Sequence, residues 1–340
     1  MGRYREADLS RLSVGSVAGR ATRVSVSDFA AAPDPDAASR MLASLPDKLG
    51  ARALREVVSR IAAAVRDRRP VVVMCGGHVI KSGVSPCLAS WMEHGVITHL
   101  ALNGSAALHD VEIARVGRTS EDVEANLQSG AFGMVDETGT FMNAVMADGA
   151  RRGEGLGECW GRALTEEGAP HAQASLLATA WRHSIPVTVH VAIGTDTVHF
   201  HPACDGAALG ETTLRDFRIL AATLAEARGS VTLNLGSAVV MPEVFLKALT
   251  IARNLGAGKP TDFTTCDLDM QRHYRPRVNV VQRPTLAGGS GYEITGHHEL
   301  MVPLLAWGVV EKLGEVGVRS GGQMPRSAPG PDPNRRPGRS

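Results

Sequence analysis

Histidines and carboxylates are concentrated in one short stretch, residues 185–206, which reads IPVTVHVAIGTDTVHFHPACDG. Its first half alternates valine or isoleucine with smaller or polar residues, the period of two that is typical of a β-strand. Its second half carries Asp196, His199, His201 and Asp205. These residue types supply general acids and bases, metal ligands and partners for cationic substrates. Because ligands bind beyond the carboxyl ends of strands in open α/β sheets, this segment is a candidate site. A plain alternative is a turn whose histidines hydrogen-bond to the backbone.

Alternating strands and helices are the elements that would position these residues. Short apolar runs are typical of buried parallel strands, and the wholly apolar run at 71–75 is followed by further predicted strands at 97–102 and 231–235. Helical spacing of apolar residues predicts amphipathic helices between them, among others at 52–67, 213–227, 242–254 and 297–313. Further strands are predicted at 262–266 and 278–281, with a loop at 288–291. The pattern predicts an α/β fold with a Rossmann-like parallel sheet, helices on both faces and a single large domain.

Composition argues against several classes of function. A net charge of +1 over 340 residues gives no general attraction to nucleic acid, and 4% aromatic residues offer few platforms for base stacking. No run of about 18 apolar residues exists, so no membrane span is predicted. An odd number of widely spaced cysteines predicts reduced thiols in a cytoplasmic protein. The expected organisation is an extended or mobile N-terminal arm (1–45), one domain (46–318) and a disordered tail (319–340).

Small residues follow the predicted strands at the points where the chain turns into a helix. These turns are Gly76-Gly77, Asn103-Gly104-Ser105, Gly194-Thr195 and Gly236-Ser237-Ala238. Glycine lets a backbone approach a ligand, and a helix N-terminus attracts phosphate. Several such turns along one sheet edge suit a dinucleotide. The GxGxxG fingerprint is missing, however, and tight turns need glycine in any case.

Metal chemistry is a second hypothesis. His199 and His201 on an extended segment would place both rings on one face, and His297 or His298 could complete a zinc site. Such a site would make the protein a metal-assisted hydrolase or lyase. No HExxH motif or pair of cysteines supports it, so no metal is predicted at the preferred site.

A lysine that forms a Schiff base is a third hypothesis. The chain has five lysines, and Lys81 follows the first Gly-Gly turn. Lys247 lies on a predicted helix face, where an ion pair with Glu243 four residues earlier is the plainer interpretation. A nucleophilic amine would need its pKa lowered by burial.

The turns, in this order, resemble those of the deoxyhypusine synthase family, which includes the plant homospermidine synthases. The matching stretches are HVIKSGV (78–84), VITHLALNGSAALHDVE (96–112), HSIPVTVHVAIGTD (183–196) and VTLNLGSAVVMPEVFLKALTIARNLG (231–256). The likeness covers roughly residues 50–315 and is strongest to the shorter synthase-like proteins of prokaryotes. It implies an NAD-binding fold and a homotetramer with sites shared across a dimer interface.

The resemblance also implies a reaction and its residues. NAD would oxidise a small-molecule amine such as spermidine to an imine, and an aminoalkyl group would pass to an acceptor amine or a protein lysine. Asp196, Asp205 and Glu243 could hold the cationic substrate, and His199 or His201 is the expected general acid or base. The residues expected at the cofactor are Ser82, Gly83, Asn103, Gly104, Ser105, Asp110, Asp196, Gly236 and Ser237.

One position departs from the family pattern. The synthases carry their nucleophilic lysine in the sequence GGGVVKHH, and here the same place reads GSAVVMPE, with Met241 instead of lysine. A thioether cannot form an imine. Either Lys81 or Lys247 serves, the transfer goes directly from a bound imine to an amine, or the chemistry has changed. The sequence therefore predicts an NAD-dependent transferase of amines or polyamines, with a catalytically inactive NAD-binding homologue as an alternative.

Overall fold

A parallel β-sheet forms the centre of the chain. The computed structural model describes residues 12–20, 22–29, 42, 44–255 and 260–314. Its strands are β1 (Thr22–Ser25), β2 (Val71–Cys75), β3 (His99–Asn103), β4 (Arg118–Glu121), β5 (Val187–His190), β6 (Val231–Leu235), β7 (Thr264–Asp269) and β8 (Ser290–Thr295). Six of these form one sheet in the order β5-β3-β2-β6-β7-β8, and every neighbouring pair is parallel. The predicted α/β fold with a Rossmann-like parallel sheet is confirmed.

Helices connect the strands and cover both faces of the sheet. They are α1 (Leu49–Arg66), α2 (Gly77–Lys81), α3 (Ser85–Glu93), α4 (Gly104–Val116), α5 (Val123–Leu127), α6 (Asp136–Arg152), α7 (Leu156–Glu166), α8 (Leu176–Arg182), α9 (Gly206–Ala225), α10 (Val240–Leu255), α11 (Tyr274–Pro276) and α12 (His298–Gly314). Alternate residues of β2 contact different layers. Val71 and Val73 pack in the core that contains α1, α3 and α12, whereas Val72 and Met74 pack with α9 and α10. This two-sided burial explains why β2 is an unbroken apolar run.

The order of the strands reverses at β2. The chain adds β3 and β5 on one side of β2, then returns to add β6, β7 and β8 on the other side. This is the strand order of the dinucleotide-binding α/β folds, in which two neighbouring loops leave the sheet in opposite directions. The crevice between them lies at the carboxyl ends of β2 and β6.

Some predicted elements are wrong or have other bounds. Residues 278–281 were predicted as a strand, but they belong to a π-helix, Arg277–Gln282, that continues α11. A short β-branched run does not distinguish strand from helix by itself. The expected strand at 262–266 begins at Thr264 and continues to Asp269, and part of the expected loop at 288–291 belongs to β8.

The N-terminal region contributes structure outside the main sheet. Strand β1, within the arm predicted at 1–45, pairs antiparallel with β4. The predicted tail at 319–340 lies outside the described residues, so the proposed division of the chain stays a prediction. The helices in the described ranges are all too short or too polar to cross a membrane.

Candidate functional site

The turns after β2 and β6 pack closely against each other at the point where the strand order reverses. A Cβ atom at Gly76 would lie 2.1 Å from the carbonyl oxygen of Gly236. Gly236 has a φ of +61°, and a Cβ atom there would lie 2.8 Å from Nε2 of His298. Both positions therefore require glycine for packing of the protein itself. The His298 ring is buried, and neither of its nitrogens has a hydrogen-bond partner among the described residues.

The turns after β3 and β5 meet through a buried carboxylate. Asn103 caps α4 by accepting a hydrogen bond from the Ala106 N–H (2.8 Å). Directly after it, a Cβ atom at Gly104 would lie 1.9 Å from Oδ2 of Asp196. Asp196 is 5% exposed, and within the described part of the chain its Oδ2 accepts no hydrogen bond. Burial raises the pKa of Asp196 to about 6.

His199 lies beside this carboxylate. Its Nδ1 accepts a hydrogen bond from the Gly194 N–H (3.2 Å), and its Nε2 lies 3.8 Å from Oδ2 of Asp196. Because Nδ1 accepts, the ring proton is on Nε2 and faces the carboxylate. Burial lowers the pKa of His199, which favours the neutral ring. The structure thus brings together Asp196 and His199, two residues that the sequence predicts to be functional.

His109 is a residue near the edge whose role the sequence reasoning missed. A Cβ atom at Gly77 would lie 2.3 Å from Oγ of Ser105 and 3.3 Å from Cδ2 of His109. Ser105 and His109 are four residues apart on α4, so one face of this helix lies along the turn after β2. In the sequence, the four-residue spacing of Ser105 and His109 was the feature that could have indicated a shared helix face.

A group of acceptors at the ends of β6, β7 and β8 was also missed. In the sheet register Asn234 lies opposite Asp267, and Asp267 lies opposite Glu293, so their side chains form one row. Asn234 Nδ2 donates to Asp267 Oδ1 (2.7 Å). Asn234 Oδ1 and Glu293 Oε1 are buried without a hydrogen-bond partner in the described ranges. Burial raises the pKa of Asp267 to about 7, and the charges of Asp269 and Glu293 add to this.

Several residues expected at the cofactor have structural roles. Asp110 is fully buried and caps α8, because its carboxylate accepts hydrogen bonds from the Leu176 N–H (2.7 Å), the Leu177 N–H and the Ser175 hydroxyl. These bonds give Asp110 a structural role at the helix, and its expected contact with the cofactor stays a prediction. Asp205, expected at the substrate, caps α9 in the same way through the Ala207 N–H.

The turn that contains Ser82 and Gly83 packs on the N-terminal region. Ser82 ends α2, and its hydroxyl donates to the Val79 carbonyl (2.9 Å). Gly83 has a φ of +74°, and a Cβ atom there would lie 3.1 Å from both Asp28 and Phe29. None of these contacts of Ser82 and Gly83 involves Asp196 or the turn that contains Gly236. Ser237 does lie at the edge, where its Oγ accepts from the Met241 N–H in the first turn of α10.

The residues considered for a Schiff base lie in different surroundings. Met241 belongs to the first turn of α10, and its side chain is fully buried in the core. Lys247 is largely exposed and forms an ion pair with Glu243, which also approaches Arg275 (3.2 Å). The Glu243 carboxylate is thus already paired within the protein, and the expectation that it holds substrate stays a prediction. Lys81 is near the edge, close enough for its charge to lower the pKa of His109.

The two histidines of the HxH motif point to different partners. His199 belongs to a 3-10 turn, Thr197–His199, rather than to an extended strand. His201 lies with its Nε2 3.4 Å from Asp136 Oδ1, against Gly139 of α6. The expected arrangement of both rings on one face is wrong because the backbone is not extended there. Across the described residues, no three side chains of His, Cys, Asp or Glu converge on a metal position.

Known proteins resemble this chain only in fold. No family model matches the chain, and no curated protein is significantly similar to it. Among solved structures it is similar to AgrE in ternary complex with ornithine and NAD⁺ (15% identity, 78% of this chain, 34% of that chain, TM-score 0.46). It is also similar to a proposed LOR/SDH protein from Methanococcus maripaludis S2 (14% identity, 79% of this chain, 69% of that chain, TM-score 0.49). A third similar structure is a proposed deoxyhypusine synthase from Entamoeba histolytica (9% identity, 79% of this chain, 89% of that chain, TM-score 0.46).

These similarities carry no argument about activity, because the identities and TM-scores are low. The chain spans about a third of the length of AgrE (34%). A deoxyhypusine synthase fold is thus among the similar structures, whereas membership in that family stays a prediction from the turns.

Proposed function

We propose that this chain is an NAD-dependent enzyme that oxidises an amine to an imine. The observation that carries the proposal is the strand order, which reverses between β2 and β6 and brings their polar turns together at the carboxyl edge. A crevice at this position is where dinucleotides bind in folds of this topology. The dinucleotide would extend from this crevice along the turn after β3 towards Asp196.

The buried carboxylate of Asp196 fits a dinucleotide. Its Oδ2 has no donor in the described ranges, although a buried charged acceptor is costly without one. A ribose hydroxyl is a neutral donor of suitable length, and acidic side chains hold ribose hydroxyls in this way in NAD-binding folds. His199, with its proton on Nε2, would keep the carboxylate in place.

The row of acceptors on the other side of the crevice fits a cationic amine. Asn234 Oδ1 and Glu293 Oε1 lack donors among the residues that the structure describes, and an ammonium group carries only donors. Asp267, with a pKa near 7, is suited to accept a proton from the substrate nitrogen at neutral pH. NAD, when bound, supplies the acceptor for the hydride that leaves the amine carbon.

The transfer half of the predicted reaction needs a route without a lysine at residue 241. Met241 is buried and Lys247 is exposed and paired, so neither is placed to hold an imine. An acceptor amine would attack the bound imine, either directly or after its transfer to Lys81, and would displace the amine that carried the aminoalkyl group. The hydride would then return from the cofactor to the new imine. Trapping with borohydride and mass spectrometry of the peptide that contains Lys81 distinguishes these routes.

The test of the proposed function is a titration of the purified protein with NAD, followed by spermidine and simple diamines. Amine-dependent fluorescence of reduced nicotinamide is the expected result. Asp196→Asn should weaken NAD binding, whereas the matched control Asp122→Asn, which removes a carboxylate charge from the N-cap of α5, should not. NAD binding without any reduction would indicate an inactive homologue. Absence of NAD binding would overturn the proposal.

A further inference from the structure

A buried chain of hydrogen bonds leads from the N-terminal region to the carboxyl edge. Nδ1 of His109 lies 2.7 Å from the Thr119 hydroxyl, which donates to Oε2 of Glu112. The other oxygen of Glu112 receives Arg20 Nη2 (2.8 Å) and the Thr138 hydroxyl (3.3 Å). Thr119 is fully buried and Glu112 is 3% exposed. The far end of this chain, the ring of His109, lies beside Gly77.

The direction of these bonds determines the tautomer of His109. A threonine hydroxyl has a single proton, and here the carboxylate of Glu112 takes it. The hydroxyl oxygen can then only accept from His109, so the ring proton is on Nδ1. Nε2 is left as an acceptor, and it has no hydrogen-bond partner among the described residues.

The surroundings of the ring keep it uncharged. Burial, together with the charges of Lys81 and Arg20, lowers the pKa of His109 to about 3. Burial raises the pKa of Glu112, and the nearby Arg20 guanidinium opposes this rise. The arrangement resembles a carboxylate that orients a histidine, with a threonine inserted between the two.

We propose that Nε2 of His109 is a fixed, neutral hydrogen-bond acceptor in the crevice, and that Thr119 and Glu112 are positioning residues that set its tautomer. Its ligand is a hydroxyl or amide N–H donor of the bound dinucleotide, and in this respect the inference rests on the proposed function. A donor is required because the lone pair of Nε2 repels an acceptor at the same place.

The isosteric variant Glu112→Gln tests the tautomer directly. The Arg20 guanidinium is ion-paired with one end of this side chain and the Thr138 hydroxyl donates to the same end, so both would favour the amide oxygen of glutamine there. The amide NH₂ would then face Thr119 and donate to it, and the Thr119 hydroxyl would donate to His109 Nδ1. The ring proton should move to Nε2. Solid-state ¹⁵N spectra of ring-labelled histidine, assigned with His109→Asn, report which nitrogen carries the proton.

The wild-type spectrum should show a protonated Nδ1 and a bare Nε2 for His109, and Glu112→Gln should exchange the two signals. A wild-type ring protonated on Nε2 would overturn the proposal. If Glu112→Gln does not fold, Thr119→Val serves as the second test, because it deprives Nδ1 of its acceptor and removes the preference for the Nδ1–H form. Thr119→Ser should restore the wild-type spectrum.

NAD affinity is the second readout. Exchange of the acceptor for a donor should weaken NAD binding by about tenfold or more in Glu112→Gln. Thr119→Val, which only removes the preference between the tautomers, should weaken it less, and Thr119→Ser should bind NAD as the wild type does. Unchanged affinity in variants with an exchanged tautomer would refute the role of Nε2 in binding. If the wild type does not bind NAD at all, the proposed function fails, whereas the spectra still decide the tautomer.

Discussion

The energetic cost of burying the Asp196 carboxylate follows from the shift of its pKa. Burial moves its pKa from 3.8 to about 6, and each pKa unit corresponds to about 1.4 kcal/mol. The ionised side chain therefore costs the free protein about 3 kcal/mol relative to the protonated one. The side chain is nearly inaccessible, so solvent screening reduces this figure little. Asp196→Asn, which is neutral and of the same shape, should recover most of that cost at pH 8.

The pH dependence follows from the direction of the shift. Because the pKa is higher in the folded state, the folded protein binds more protons between about pH 4 and pH 6. The contribution of Asp196 to stability is thus lost as the pH rises through this window and stays constant above it. Urea denaturation of both proteins should show Asp196→Asn about 3 kcal/mol more stable at pH 8, and about half of that at pH 5.

Binding of NAD should depend on the same group in the opposite sense. Ribose hydroxyls donate to the ionised carboxylate, so affinity of the wild type should rise from pH 5 to about pH 6.5 and then level off. Asp196→Asn should bind NAD at least tenfold more weakly and without this dependence. Calorimetric titration measures both. A variant that gains no stability at pH 8, or binds NAD as well as the wild type, would refute the assignment of Asp196.

Three further substitutions test the packing around the edge. Gly104→Ala should cost about 1–3 kcal/mol, because its Cβ would meet Asp196, and combining it with Asp196→Ala should recover much of the loss in urea denaturation. Burial raises the pKa of Asp216 to about 8, so the neutral variant Asp216→Asn should be tolerated at pH 7. Asp216→Ala removes the acceptor of the Gly157 and Val189 N–H groups and should cost roughly 3 kcal/mol of stability. Met241→Lys should lower the melting temperature and yield no borohydride-trapped imine, because residue 241 is buried in the core.

The fold could be predicted from the sequence because its central strands are buried on both faces. A parallel sheet covered on both faces needs strands rich in apolar residues, and the strands predicted at 71–75 and 231–235 match β2 and β6 as the structure has them. The prediction failed where local sequence was ambiguous. Residues 278–281 have strand-like composition, but they follow the helix α11 and continue it as a π-helix. That choice depends on packing against α10 and β7, which periodicity does not record.

The site was less predictable because its residues come from strand ends and from helix faces far apart in the chain. Asp196 and His199 were found, since they follow a recognisable strand. Asp267 was missed because the predicted strand ended at residue 266, before the alternation of Asp267 and Asp269 could place both on one face. The link between His109 and Glu112 runs through Thr119 on another strand, so only the tertiary structure reveals it.

The glycines of the turns have a different meaning from the one that the sequence suggests. Gly76, Gly104 and Gly236 each lie against protein atoms, so a side chain at any of them would collide within the protein before it could meet a ligand. Glycine at these turns therefore indicates that the turns pack against each other. It does not indicate that they bind phosphate. The proposal of a binding site rests instead on buried polar atoms that lack a hydrogen-bond partner in the described ranges, among them Asp196 Oδ2 and Glu293 Oε1. A fold selected for stability alone would gain by pairing or removing these groups, because each costs free energy while it is buried without a donor.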